Sequence, residues 1–432
     1  MNIRLVLMVG GLMLLSGCSL VTPTPEATPA TPLQPSPTPT ALPRPTPLPA
    51  SDLTTLTLWV PDVLNGETPG EIHATLLSQI NAFSRSHSNI QVQVLMKKAE
   101  GSGGLYDLLS TTYSAAPAVL PDLVVLNHTD LRAAAENGFI LALPPEEATM
   151  PVYPFASEAV VIEGRAYGLP FMSQMVHTVY TPLPEVGAPL SWTTVLTGGY
   201  SLLFPLAPAS GLADDFLMGA YLGSGGQVLD AEGRPLLDRP HLEELYRFVG
   251  VMAEAGLVDR ERLVTLADAQ TCWEIFQQEG SIMTRPLLST VPAGLYWSAT
   301  ERVGLAAWTP THEGRPFALA QVWSLAIVGN EPVHELAALE LAHWLNARGQ
   351  VADFSKAIGM LPLSREALAL WTLSADDSAF LERLLNSTVL PPPKSVDQTV
   401  RRALQAGLDF MLTTDAATPE QAATYALTVL RK

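Results

Sequence analysis

The sequence is poor in cysteine, in basic residues and in long apolar runs. Only Cys18 and Cys272 occur in 432 residues, and no CxxC pair exists. The eight histidines are scattered, with no HxxxH or HExxH spacing, so no metal-site signature is present. Lys and Arg total 24 against 42 Asp and Glu, a net charge of −18, which argues against a nucleic-acid partner. The GxSxG nucleophile turn is missing too, since Gly199-Tyr200-Ser201-Leu202-Leu203 lacks the second glycine. Gly101-Ser102-Gly103-Gly104 is glycine-rich but lacks the strand-to-helix GxGxxG or GKS pattern, and it reads as a flexible loop rather than a phosphate cradle. Beyond the N-terminus no apolar stretch is long enough to span a bilayer.

What is present begins with a targeting segment. Arg4 supplies a positive start, residues 5–14 an apolar run too short to span, and Leu15-Ser16-Gly17-Cys18 matches the bacterial lipoprotein box. Residues 1–18 are therefore expected to be a lipoprotein signal, with Cys18 the lipidated residue. The expected location is the outer face of the cell membrane, at the cell surface or in the periplasm. Anchoring there needs more than one acyl chain. Residues 19–51 are Pro/Thr-rich and low in complexity. They cannot pack a core and read as an extended stalk of polyproline II character. Cys272, beside Trp273 in an apolar helical stretch, is expected to be buried and inert.

The remaining chain is long for one core. With 47% hydrophobic and 15% charged residues it suits two α/β lobes. Residues 54–60 alternate as a strand, residues 72–86 carry a helical stripe through Leu76, Leu77, Ile80 and Phe83, and residues 90–96 alternate again. That βαβ order implies a mostly parallel sheet with ligands beyond its carboxyl ends, which singles out the loop at Asp62 and the strand end at Asn127-His128. Trp59 is expected under the sheet. Asp214-Asp215 reads as an acidic helix start. Trp344 and Trp371 fall on helical stripes and read as core.

The organising stretch is 159–180. Glu163-Gly164 is a turn signal between two apolar runs, Gly168 and Pro170 break regularity, and residues 175–180 read as a further strand. Two strands joined through that break suggest a chain leaving one sheet for another, as a hinge strand does; an ordinary bent edge strand is the other reading of these residues.

Several stretches resemble, in the same order, the family 1 extracellular solute-binding proteins of ABC importers, the maltose-binding-protein-like group. They are Gly164 with Tyr167-Gly168-Leu169-Pro170, residues 176–180, and Pro189-Leu190-Ser191-Trp192 with Leu196. Pro121-Asp122 before an apolar strand precedes these, and residues 303–310, Trp323 in residues 319–327, and Gly359-Met360-Leu361-Pro362 follow. Thr181 stands where the family has Asn, and the paired glycines before Trp323 are absent. The resemblance implies a two-lobed, type II periplasmic-binding fold with a three-strand hinge and a ligand cleft between the lobes. The expected lobes are residues 52–172 plus 308–352, and residues 173–307 plus 353–432. It also implies a small-molecule solute, a carbohydrate, captured by hinge closure and delivered to ABC permease subunits. The chain is expected to be a monomer with no enzymatic activity, no cofactor and no metal. The ligand-binding candidates at strand ends and crossings are Asp62, Asn127, His128, Phe171, Tyr180, Arg285, Trp308 and Trp323. The aromatics among them are chosen because rings stack on the apolar faces of sugars. A surface-anchored glycoside hydrolase and a ligand sensor without a permease are the two other classes.

Overall fold

The computed structural model describes residues 53–65, 71–147, 149–181, 189–258, 262, 265–279, 286–329 and 332–432. Cys18, the stalk 19–51 and Arg285 lie outside the described residues. Alternation decides the first strands. In β1 (Thr54–Pro61) Leu56, Leu58 and Val60 enter one apolar cluster and Trp59 a second. β2 (Ile90–Lys97) and β3 (Leu123–Asn127) both pair with β1 in parallel. Every residue of β3 is buried, and its side chains alternate between the two clusters. That double burial is expected of a parallel strand covered by helices on both faces.

Pro154 starts a helix, Pro154–Val160, so Ala159 and Val160 are helical rather than part of a strand. β4 (Val161–Ile162) and β5 (Arg165–Ala166) then form a two-residue hairpin. Its turn residues Glu163 and Gly164 have φ of 50° and 76°, the left-handed pair that such a turn requires.

β6 (Leu169–Thr181) follows, and the chain continues through β7 (Ser201–Leu203), β8 (Leu287–Pro292), β9 (Leu305–Ala307), β10 (Ala318–Ile327), β11 (Leu361–Pro362) and β12 (Thr388–Val389). The sheet runs β2-β1-β3-β10-β6-β8-β7. β6 is one continuous strand of 13 residues, so the expected break at Gly168–Pro170 does not divide it. The transition lies further on. Residues up to Met175 pair antiparallel with β10, and from Val176 onward the partners are β8 and β9. Gly168 serves close approach instead: a Cβ there would lie 2.9 Å from both the Leu131 side chain and the Leu325 carbonyl.

The other two expected crossings also land on β6. β9 pairs with Thr178 to Tyr180, and β11 pairs with Ser173 and Met172. The strand therefore belongs to both halves of the sheet. Cys272 is fully buried, and burial pushes its thiol far above the ordinary range.

Candidate functional site

A cavity of about 500 Å³ opens where β6 changes partners. Its floor carries Gln174 of β6 and Gln321 of β10, which are opposite one another in register. One wall is built at the carboxyl end of β3. Asn127 ends that strand and caps the helix His128–Glu136, accepting from the Asp130 amide at 2.8 Å. Its own amide donates to Glu100 and to Asp130, each at 3.1 Å. Gln321 also donates to Glu100, at 2.8 Å, so the Glu100 carboxylate is held at the cavity by two amides.

His128 is 7% exposed and lines the same wall. Neither ring nitrogen makes a hydrogen bond of good geometry. Burial lowers its pKa to about 4, with the Pro391 carbonyl opposing, so the imidazole is neutral at pH 7.

The facing wall is the segment around Asp214-Asp215 and the helix Lys394–Thr413. Asp214 caps the helix Asp215–Gly223, accepting from the Leu217 amide at 3.1 Å, as its position before an apolar run requires. The residue as a whole is half-buried, but its second oxygen is enclosed and has no hydrogen-bond partner of good geometry. Burial raises its pKa to about 7 and the Asp215 charge adds to this, while the Leu217 and Phe216 amides and Arg401 oppose.

Arg401 ties this wall together. Its guanidinium donates to Asp397 at 2.8 Å, to Asp215 at 2.7 Å and to the Ala213 carbonyl at 2.9 Å. Burial opposes its charge, but the two carboxylates outweigh burial and keep it protonated. Lys394, at the start of the same helix, pairs with Asp130 of the helix that follows β3.

The sequence candidates divide. His128 lines the cavity, and Asn127 stands directly behind it as a positioning residue. Asp62 turns away and accepts from the Ala99 amide at 2.9 Å. The aromatics are in the core. Phe171 packs on Phe354 at 6.0 Å, Trp308 meets Phe380 edge-on at 5.4 Å, Tyr180 is fully buried, and Trp323 is 2% exposed within β10. No tryptophan, tyrosine or phenylalanine lines the cavity among the described residues. Sequence reasoning passed over Gln174, Gln321, Lys394, Asp397 and Arg401. One signal was available for the last three. Residues 394, 397 and 401 repeat charge at helical spacing beside the apolar stripe of Val396, Val400 and Leu404.

No protein-family model and no curated protein matches this sequence. Solved structures do. Maltose-bound MalE3 of T. maritima is 18% identical, with a TM-score of 0.67 over 88% of this chain and 99% of that one. The sugar-binding protein MalE of Xanthomonas citri is 16% identical, with a TM-score of 0.65 over 88% and 97%. An ABC substrate-binding protein of Listeria monocytogenes in complex with cycloalternan is 15% identical, with a TM-score of 0.62 over 88% and 99%. The chain thus has the two-lobed α/β fold of the type II, maltose-binding-protein-like solute-binding proteins.

Proposed function

We propose that this protein is the extracytoplasmic solute-binding component of an ABC importer. It captures a sugar or oligosaccharide in the cavity, closes by bending about the β6, β9 and β11 crossings, and presents the closed form to a permease. The observation that carries this reading is the position of the cavity. It lies where one strand passes from one half of the sheet to the other, and residues of both halves wall it. Its volume is in the range of small-molecule sites. The similar structures whose descriptions name maltose, maltotriose or cycloalternan are binding proteins, which supports a carbohydrate and a non-catalytic role.

In this reading the lobes are residues 52–172 plus 308–352, and 173–307 plus 353–432. Cys18 carries the lipid, residues 19–51 hold the lobes away from the membrane, and no described helix is long and apolar enough to span it.

One observation favours a second reading, a glycoside hydrolase. Asp214 and Asp215 are neighbouring carboxyls lining the cavity, and burial raises the Asp214 pKa to about 7, which suits a general acid. A thermal-shift screen of the full chain against mono- and oligosaccharides, polyols, amino acids and polyamines separates the readings. A ligand at ~100 times its Kd adds roughly 2.7 kcal/mol. A saturable shift with one sugar class, recovered intact, supports the importer reading. Recovery of cleaved sugar supports the hydrolase, and no shift with any sugar overturns the carbohydrate assignment.

A further inference from the structure

Lys394 stands where helix chemistry does not select a lysine. It is the first residue of the helix Lys394–Thr413, and the dipole of a helix favours acidic side chains at that end. What matches it lies in another part of the chain. Its Nζ donates to Oδ1 of Asp130 and lies 5.8 Å from the centroid of the Tyr106 ring. Both partners fall in residues 52–172, assigned to the first lobe, while Lys394 falls in the second.

The two sides of this contact are built separately. Asp130 is oriented from its own lobe: Asn127 donates to Oδ2 at 3.1 Å and accepts from the Asp130 amide at 2.8 Å, which leaves Oδ1 for Lys394. Tyr106 is held there too, its hydroxyl accepting from Asn137 at 3.3 Å and its ring packing on Phe139. On the other side, Pro391-Pro392-Pro393 leads directly into Lys394, and proline restricts the backbone at each of those residues. The helix packs on the helices Arg239–Glu254 and Pro419–Leu430, and Arg401 fastens it to Asp215 and to the Ala213 carbonyl. A stiff mount and a preformed acceptor distinguish this contact from an ordinary surface ion pair, whose two long side chains must both be ordered to meet.

Asp130 is 1% exposed, and burial opposes its charge while Lys394 supports it. Parting the two segments withdraws that cation, so the pair itself resists separation. Resting on the two-lobe reading above, we propose that Lys394 and Asp130 form a latch that holds the lobes together. All its parts are protein groups, so it forms whether or not the cavity is filled. A latch common to both states slows entry and release of solute alike. It also makes closure sensitive to salt, because the Lys394 side chain is one-third exposed.

The test is a distance measurement by pulsed electron resonance between spin labels at Thr111→Cys, in the helix Leu105–Ala115, and Glu254→Cys, at the end of the helix Arg239–Glu254. Both positions are exposed and Cys272 is buried. The full chain is used, with Cys18→Ser so that only the two chosen positions take label. The ratio of long to short separations is read at about 50 mM and about 500 mM NaCl. The parent is expected to show mainly the short separation at low salt. Lys394→Met and Asp130→Asn are each expected to raise the ratio at least about fivefold. Lys394→Arg, which keeps the cation, should stay close to the parent. Added salt should raise the ratio in the parent and not in Lys394→Met. Circular dichroism reads retention of fold, and either single variant suffices where the other fails to fold.

A folded Lys394→Met protein with the parent's ratio at both salts overturns the latch; two separations in the parent then leave the hinge reading standing. A parent dominated by the long separation at low salt overturns the latch as well. One separation, unchanged in the parent, in every variant and with millimolar maltose, overturns both the latch and the bending of the lobes.

Discussion

Lys394 donates to the carboxylate of Asp130 from a helix 264 residues further along the chain. Asp130 is 1% exposed and belongs to the helix that begins at the end of β3. Burial raises its pKa, and the hydrogen bond and charge of Lys394 oppose that rise. The pair joins the helix at the carboxyl end of β3 to the first residue of the helix that carries Arg401.

Removing Lys394 leaves Asp130 buried without its cation. A fully buried pair broken this way costs about 3–5 kcal/mol, but Lys394 is one-third exposed, so about 1–2 kcal/mol is expected for Lys394→Met. The double variant Lys394→Met with Asp130→Asn should recover much of that loss. Urea midpoints for the four proteins of this cycle measure it; additive losses would show that the two residues do not act as a pair.

Gly294, in the short helix Ala293–Ser298, touches the turn that precedes β11. An added Cβ would sit 2.0 Å from the Gly359 carbonyl oxygen. Backbone cannot yield as a side-chain end can, so Gly294→Ala is expected to cost about 2–3 kcal/mol. Denaturant unfolding reads this directly. A variant as stable as the parent would mean that the crossings between β8, β9 and β11 are less tightly packed than the contact implies.

The pH dependence of Asp214 has a definite sign. Its folded pKa, about 7, lies above the ordinary 3.8, so the folded protein binds the extra proton between those values. The stability this group contributes is complete below about pH 4 and is lost as pH rises to about 7. Asn does not titrate. Relative to the parent, Asp214→Asn should therefore gain in melting temperature between pH 4.5 and pH 8. A parallel pair of Tm–pH curves would contradict the burial that raises this pKa.

His177 works in the opposite sense. Its ring is fully buried among Tyr296, Trp297 and Phe380, with Nδ1–H donating to the Thr178 carbonyl at 2.8 Å. Burial lowers its pKa to about 4, with the Thr178 carbonyl opposing. A depressed histidine contributes stability that is complete above the ordinary 6.5 and is lost as pH falls towards 4, up to about 3 kcal/mol. His177→Asn can keep the donor but not the titration. It should flatten acid destabilisation in that window, as followed by melts at pH 4.5 and 7.

Much of the fold was legible because it rests on local pattern. Alternation in residues 54–60 and 90–96 and the Glu163-Gly164 turn each act within a few residues and are found as expected, and of the stripe Leu76, Leu77, Ile80 and Phe83 all but Leu77, which is exposed, are buried. The crossings at β6, β9 and β11 were legible through the order of motifs along the chain. The point of handover was not. Gly168 and Pro170 suggested a break, yet whether β6 divides there depends on what pairs beside it, and β10 supports it through Met175.

The site shows the same division. Strand-end position pointed to Asn127 and His128, because topology and local sequence together place the end of β3 at the cavity. It did not show that the candidate aromatics pack in the core rather than line the cavity. A tryptophan at a crossing satisfies the core as readily as a cleft, and Trp308 and Trp323 went to the core.

By itself, then, the sequence determined the elements: the strand and helix periods, the turns, the helix caps at Ser191, Asp214 and Thr418, and the acidic balance of the chain. Only the tertiary structure decided which charges meet. Lys394 with Asp130, Arg401 with Asp215, and Gln321 with Glu100 are pairs separated by 264, 186 and 221 residues. Which carboxylate finds a cation depends on packing between those distant segments, because charge interactions in a protein are set by distance and burial in space.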